Sequence, residues 1–333
     1  MSSRHHRYLF ALALLLGVAS AASAEKLVLV AGDGTAKDRG PATEAAIGQP
    51  FGMARDKVGN LFVADFTEHR VWRVDPKGVI SVAAGTGKKG FAGDGGPAAK
   101  GEFDGMHDLV VAPDGDLFVA DSYNLRVRKI DAKTGTLSTV AGDGQKKIAG
   151  DGGPGEKASL DGVASLWLAG DKLYMTGFSG AVRVLDLKTG TIDRVKGITG
   201  GRSVAVDSKG NVYVGGGTTL RVLRPDGKVE VLHDSKKAAA DDVKLGDNPK
   251  HLGFDAEENV LIADDFGHQI KKYVVAEKKV VVVAGSGKKG KGGLDGPPLS
   301  AELDGPHAVY FDPATKCVYL GDSRNKRVLK IEP

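Results

Sequence analysis

Short runs of alternating apolar and polar residues recur from residue 26 to the end of the chain, and no stretch shows the 3.6-residue period of an amphipathic helix. One phrase recurs almost unchanged at 59–65 and 115–121: glycine, Asn or Asp, then Leu-Phe-Val-Ala, then Asp. Weaker copies end at residues 177, 216, 264 and 322. A period of two with many β-branched residues predicts β-strands. The pattern therefore predicts an all-β chain of six repeated units.

Each repeated unit contains a series of such runs. In the first unit they cover residues 52–55, 61–65, 70–74 and 80–82, and the same order recurs in later units. Six units of four short antiparallel strands are typical of a six-bladed β-propeller. We therefore predict one propeller domain over residues 25–333, with four antiparallel strands in each blade.

The sixth unit has no fourth run, because the sequence stops at Ile331-Glu332-Pro333. Near the start of the chain, Lys26–Gly34 resembles the fourth run of the second unit, Thr139–Gly144. We predict that this N-terminal strand completes the last blade. Such pairing closes the ring and removes two open sheet edges, which otherwise invite aggregation.

The first 24 residues have the order of an export signal. Basic residues at Arg4 and Arg7 precede an apolar run, Leu9–Val18, and small residues at Ala22–Ala24 precede Glu25. An uncleaved membrane anchor is the alternative, but the run has ten residues where a spanning helix needs about 20. We predict a signal peptide over 1–24 and a secreted or periplasmic protein without a membrane span after cleavage.

The charge of the chain does not indicate a nucleic-acid partner. The formal net charge is +4, and it is +2 without the first 24 residues, which contain no acid. Charges of both signs alternate, so no basic block is present. Cys317 is the only cysteine, which excludes an internal disulfide. We expect a monomer that is stabilised by packing.

Several phrases resemble the NHL-repeat family. The resemblance rests on residues 49–54 with 59–65, on 115–121 with 122–130, and on the Gly-Asp-Gly-Gly-Pro segments at 93–97 and 150–154, which resemble exported bacterial members. It covers most of the chain from residue 25 and implies a six-bladed propeller. Because this family includes both binding proteins and enzymes, the resemblance does not imply one activity.

A spacing that recurs in three units of this chain predicts a structural pair of Asp and Arg joined by a hydrogen bond. The Asp that ends the second run is followed five residues later by Arg in three units, as Asp65 and Arg70, Asp121 and Arg126, and Asp322 and Arg327. We predict that each pair ties the second strand of its blade to the third.

Four long loops, 32–49, 85–105, 142–162 and 285–305, join one unit to the next and should lie around one mouth of the central channel. Loops of this length are usually functional or disordered. Three of them carry lysine pairs: Lys88, Lys89, Lys146, Lys147, Lys288 and Lys289. Two interpretations stay open: a recognition rim of mixed charge, or self-packed loops in which Asp94 and Asp151 cap glycine turns.

The residues that open the innermost strands should point into the same mouth. Aligning the units places six residues in one ring: Phe51, His107, Ala164, Arg202, Lys250 and His307. His251 lies one position further along its strand. Histidines together with Arg and Lys suit an anion or a ligand that carries a carboxylate.

We therefore predict a non-catalytic module that binds a protein, peptide, glycan or small anionic ligand outside the cytoplasm, without a cofactor. The alternative is a metal-dependent lyase or hydrolase, with His107, His251 and His307 holding zinc or another divalent metal. This alternative rests on a resemblance to exported amidating lyases with six-bladed propellers. A gluconolactonase-like hydrolase ranks lower, because the aligned ring contains no Asp, Glu or Asn.

Overall fold

The computed structural model describes residues 25–36, 38–247 and 249–333, so the predicted signal peptide at 1–24 lies outside the described residues. The described chain folds into six antiparallel sheets, which confirms the predicted six-bladed β-propeller. None of its helices is long and apolar enough to cross a membrane.

We number the blades by their innermost strands in chain order. Blade 1 contains the strands Arg39–Pro41, Pro50–Arg55, Leu61–Asp65, Arg70–Val74 and Val79–Ala84. Blade 2 contains Met106–Val111, Leu117–Asp121, Arg126–Ile130 and Leu137–Ala141. Blade 3 contains Gly153–Pro154, Ser165–Ala169, Lys172–Thr176, Ala181–Asp186 and Thr191–Thr199. Blade 4 contains Ser203–Val206, Val212–Gly216, Thr219–Leu223 and Val229–Asp234. Blade 5 contains His251–Phe254, Val260–Asp264, Gln269–Val274 and Lys279–Ala284. Blade 6 contains Pro306–Phe311, Val318–Asp322, Arg327–Glu332 and Lys26–Gly32. The 3₁₀ helices are Ala42–Glu44, Ala98–Lys100, Gly155–Lys157, Pro298–Ser300 and Ser323–Asn325.

The six innermost strands form a ring. Each contacts the innermost strand of the next blade, and Pro306–Phe311 of blade 6 contacts Pro50–Arg55 of blade 1. In blade 6, Lys26–Gly32 pairs antiparallel with Arg327–Glu332, with Leu27 opposite Ile331. One blade therefore contains strands from both ends of the described chain.

The hydrophobic core lies between the blades. The cluster that joins blades 6 and 1, for example, contains Trp72 and Val63 from blade 1 and Tyr319 and Val328 from blade 6. Because each sheet presents apolar side chains on both faces, every blade buries them against two neighbours. This packing fixes the inner strands that surround the channel.

The predicted Asp–Arg pair forms in only one of the three blades. Arg327 Nε donates to Asp322 at 2.8 Å, as predicted. Asp121 instead accepts from Arg128 at 3.0 Å, and Asp65 accepts from Trp72 Nε1 at 2.9 Å. The prediction is wrong in blades 1 and 2 because residues five and seven positions after the Asp share one face of the third strand, so either can reach the carboxylate.

These aspartates nevertheless share a structural role, which differs from the predicted one. Each accepts a hydrogen bond from a backbone N–H of the loop that enters its blade: Asp65 from Gly48, Asp121 from Asp104, Asp264 from Gly246 and Asp322 from Asp304. The carboxylate thereby holds the loop end beside the start of the inner strand. Blade 3 has Gly177 at this position, and a Cβ there would lie 2.0 Å from Oδ1 of Asp161, so the loop supplies the carboxylate instead.

Candidate binding site at the channel mouth

The residues that open the inner strands are directed into the mouth by two kinds of local backbone geometry. In blades 1, 2 and 6 the ladder shifts register between Pro50 and Gly52, between Met106 and Asp108, and between Pro306 and Ala308. Phe51, His107 and His307 are thus the extra residues of β-bulges, which commonly redirect a side chain next to a functional site. In blades 4 and 5, Arg202 and Lys250 immediately precede the inner strand and donate their backbone N–H to the second strand.

The structure brings the predicted mouth residues together. Phe51 stacks on His307, with ring centroids 3.7 Å apart, and its centroid lies 5.4 Å from that of His107. The centroids of His107 and His307 are 6.0 Å apart. Three blades therefore contribute to one continuous ring cluster.

Three further aromatic residues that were not predicted from the sequence extend this cluster: Phe66, Tyr123 and Phe178. They lie in the turns that follow the second strands. Phe266 lies in the equivalent turn of blade 5, where its ring centroid is 5.0 Å from Nζ of Lys250. Phe66 stacks on Phe51 at 4.3 Å, and Phe178 lies 5.1 Å from His107. Tyr123 is 50% exposed and Phe178 39% exposed. The recurring aromatic residue one or two positions after the repeated Asp or Gly was the signal that could have found them.

Cationic side chains occupy the mouth beside this aromatic cluster. The guanidinium of Arg202 lies 4.9 Å from the centroid of Phe178. Its Nη1 is buried and has no hydrogen-bond partner among the described residues. Lys250 and Arg324, by contrast, share the carboxylate of Asp265, at 3.8 Å and 2.7 Å. Arg202 is therefore a cation of the mouth that lacks a matching carboxylate in the described chain.

The two histidines of the mouth are held neutral. Burial, and then the nearby charge of Arg202, lowers the pKa of His107 to about 3. Burial and the neighbouring His107 and Arg202 keep the pKa of His307 well below its ordinary value. His107 Nδ1 donates to the Gly105 carbonyl at 2.8 Å, so its Nε2 is the acceptor nitrogen. Near neutral pH the mouth therefore owes its positive charge to Arg202, Lys250 and Arg324.

His251 does not join the other two histidines. It lies one residue deeper, where its Nε2 is 3.2 Å from Oδ1 of Asp108, and both side chains are buried. Burial acts to lower the pKa of His251, but the charge and hydrogen bond of Asp108 outweigh it, and the net shift is upward. Asp108 also accepts the Leu166 backbone N–H at 2.7 Å. This pair forms the floor of the mouth.

The described residues offer no ready metal site. No group of three or more His, Cys, Asp or Glu side chains is arranged to hold a metal ion in the described ranges. His107 and His307 are neighbours, but His251 is engaged with Asp108. The described geometry therefore does not gather the three predicted histidines around one point, and zinc binding stays a prediction.

The six rim lysines are all exposed, and the loops that carry them are packed against the blades. Lys89 lies 3.4 Å from Asp104, and Lys289 lies 3.3 Å from Asp304. Asp94 accepts from the buried Arg128 at 2.8 Å, and Asp151 pairs with Arg183 at 2.6 Å. The loops are thus anchored by buried arginines and not only by glycine turns, while their lysines stay exposed to solvent.

A second opening lies at the other end of the channel. Its cavity of about 180 Å³ is lined by Trp167, Phe254 and Tyr310, with His251 at its inner end. The Asp108–His251 pair therefore separates the charged mouth from an apolar lower chamber.

Comparison with known proteins agrees with this architecture. The family model of the NHL repeat matches residues 103–130, which run from the end of a long loop through the first three strands of blade 2. This chain contains an NHL repeat within a six-bladed β-propeller. The presence of such a repeat does not by itself assign an activity.

Two curated relatives match parts of this chain. Protein SUPPRESSOR OF QUENCHING 1 of Arabidopsis thaliana is 31% identical over 103 residues, which are 30% of this chain and 10% of that protein. A probable peptidyl-alpha-hydroxyglycine alpha-amidating lyase of Caenorhabditis elegans is 32% identical over 92 residues, 27% of this chain and 25% of that protein. The chain thus spans a quarter or less of these relatives.

A solved structure resembles the whole propeller. The auxiliary nutrient binding protein of Bacteroides thetaiotaomicron superposes with a TM-score of 0.67 at 13% identity, covering 92% of this chain and 76% of that one. At this identity the likeness shows the fold alone.

Proposed function

We propose that this NHL-repeat propeller is a non-catalytic recognition module whose channel mouth binds a negatively charged group of its ligand. The observation that carries this proposal is the guanidinium of Arg202, which has a buried Nη1 without a partner and lies over the ring of Phe178. Other cations of the mouth have carboxylate partners, as Lys250 and Arg324 have in Asp265.

An unpaired, partly buried charge costs stability unless a partner arrives. Burial lowers the pKa of Arg202, with Tyr123 and Asp265 acting against this shift, yet a guanidinium stays charged at any ordinary pH. A carboxylate supplied by a ligand would satisfy the free N–H donors and form a strong charge-assisted hydrogen bond. The mouth is therefore arranged as an anion receptor that is complete only when its ligand is bound.

The surroundings of Arg202 support binding over catalysis. His107 and His307 are packed among aromatic rings, with Phe51 stacked directly on His307. Neither histidine has a carboxylate partner among the described ion pairs that would orient it as a general base. The exposed lysines of the rim would face the remainder of a protein, peptide or glycan ligand. An auxiliary nutrient binding protein with this fold makes such a role a reasonable one for the scaffold.

We propose that binding takes place outside the cytoplasm, either in the periplasm or after secretion. Support comes from the order of basic, apolar and small residues in 1–24, a segment outside the described residues. Sequencing the N-terminus of protein isolated from expressing cells tests this. A chain that starts at Glu25 in the extracytoplasmic fraction supports export, and full-length protein confined to the cytoplasm contradicts it.

Arg202→Gln tests the binding proposal. Arg224→Gln is the matched control, because Arg224 lies on the same blade but pairs with Glu230 on the outside. Isothermal titration with a panel of carboxylates should give binding to the wild type and the control and at least tenfold weaker binding to Arg202→Gln, since a charged hydrogen bond is lost. Equal affinities in all three proteins, or no carboxylate bound by any, would refute the proposal.

A metal-dependent lyase or hydrolase at the same mouth is the competing function. It draws on the local similarity to the amidating lyase and on two neutral imidazoles, His107 and His307, which suit metal ligation. Elemental analysis of protein purified without chelator separates the two. A stoichiometric metal that is lost in His107→Ala and His307→Ala would favour the enzyme.

A further inference from the structure

We infer, resting on the proposed function, that the mouth accepts a single carboxylate carried by an aromatic ring. The first step is the balance of charge. Asp265 faces Lys250 and Arg324, and Asp304 lies 3.5 Å from Arg324 and 3.3 Å from Lys289. Each of these three cations therefore has a carboxylate contact, whereas Arg202 has none in the described ranges.

The floor of the mouth limits the ligand to that one charge. Asp108 lies one residue below His107 and holds His251 across the channel. A second carboxylate pointing down the channel would approach the buried Asp108, and like charges at short range repel strongly in a low-dielectric site. The ligand should therefore present one carboxylate towards Arg202 and no acidic group below it.

The wall beside Arg202 consists of flat rings. Phe178 lies under the guanidinium, with its ring centroid 6.1 Å from that of Tyr123 and 5.1 Å from that of His107. Tyr123 and Phe178 are both partly exposed, so their rings have free surface. Aromatic rings bind other rings in stacked or edge-to-face geometry at such centroid distances. A ring attached to the carboxylate would complete this cluster.

The same wall disfavours a sugar acid. The hydroxyl groups of a sugar need hydrogen-bond partners when they leave water, and each unpaired one costs free energy. Phe51, Phe66 and Phe178 offer none, and Nδ1 of His107 is already bonded to the Gly105 carbonyl. The Tyr123 hydroxyl and Nε2 of His107 are too few partners for the several hydroxyl groups of a sugar acid. An aryl monocarboxylate loses no such bonds. The mouth chemistry therefore selects the ring of an aromatic acid.

Titration calorimetry with four probes of similar size tests this inference. Benzoate should bind about 2- to 12-fold more tightly than cyclohexanecarboxylate, the range expected for one aromatic contact. Benzamide, which lacks the charge, and glucuronate, which has a polar ring, should bind at least tenfold more weakly than benzoate. Phe178→Leu should reduce the preference for benzoate over cyclohexanecarboxylate. Circular dichroism should show that this variant keeps the wild-type fold.

The outcomes separate this inference from the proposed function. Equal affinity for benzoate and cyclohexanecarboxylate, or tighter binding of glucuronate, would overturn the aromatic ligand while leaving Arg202 as the anion receptor. A benzoate preference that Phe178→Leu does not change would place the ring elsewhere and also overturn the inference. Failure of every carboxylate to distinguish the wild type from Arg202→Gln would overturn both.

Discussion

Asp108 and His251 meet across the channel, 3.2 Å apart, although 143 positions separate them in the sequence. Asp108 belongs to blade 2 and His251 to blade 5, which lie opposite each other in the ring of six inner strands. Gly52 of blade 1 leaves room for Asp108, because a Cβ at this position would lie 2.5 Å from Cα and 2.7 Å from Oδ1 of Asp108. The pair thus links opposite sides of the propeller and closes the bottom of the mouth.

Breaking this buried pair should destabilise the whole ring. His251→Leu leaves the carboxylate of Asp108 buried without its imidazole partner, and such a loss costs about 3–5 kcal/mol. Urea unfolding should show the loss as a lower midpoint. Lys172→Met, which removes an exposed ion pair with Asp186, should change the midpoint little. A double-mutant cycle of Asp108→Asn and His251→Leu with no coupling energy would contradict this role.

The neutral His107 should make the protein less stable in acid. Its folded pKa of about 3 lies below the ordinary value of 6.5, so between these values the unfolded chain binds a proton that the folded chain does not. The stabilisation is complete above pH 6.5 and is lost as the pH falls, by up to about 1.4 kcal/mol per pH unit.

Thermal or urea unfolding between pH 7 and pH 4 measures this loss. His107→Phe keeps a ring in the aromatic cluster but removes the titrating group, so its stability should decline less steeply with acid than that of the wild type. Parallel pH profiles for the two proteins would show that His107 is not the group responsible.

In blade 3, exchanging the aspartate at position 161 and the glycine at position 177 should preserve the fold. In blade 1, Gly48 faces Asp65, and in blade 3 Asp161 faces Gly177; a Cβ on either glycine would lie within 2.4 Å of the opposite carboxylate. Gly177→Asp alone should therefore destabilise the protein by about 2 kcal/mol or more, because two carboxylates compete for one site.

Combining Gly177→Asp with Asp161→Gly recreates the arrangement of blade 1 and should recover most of the lost stability. Denaturant unfolding of the two single variants and the double variant measures the recovery. Strict additivity of the two changes would show that the carboxylates do not share a position.

The rim lysines should affect the rate of binding more than its strength. Lys88, Lys89, Lys288 and Lys289 are exposed near the mouth, where their charges act on an approaching anion. Replacing all four by Glu should slow association of benzoate several-fold at low salt in stopped-flow measurements, and added salt should reduce the difference. An association rate that does not change at low salt would exclude the rim from ligand capture.

Local pattern was enough to predict the strands, the number of blades and the ring of Phe51, His107, Arg202, Lys250 and His307. Alternation along a strand is a property of neighbouring residues, and repeats place equivalent positions around one axis.

Tertiary structure alone decided which side chains meet. Asp121 pairs with Arg128 and not with Arg126, because residues on one strand face compete for a partner and the folded loops select between them. Asp108 meets His251 only because the ring brings blades 2 and 5 face to face. Among the described residues, Arg202 has no carboxylate partner, because the nearby carboxylate of Asp265 is shared by Lys250 and Arg324. Sequence periodicity describes each blade separately, whereas contacts across the channel depend on the closure of all six.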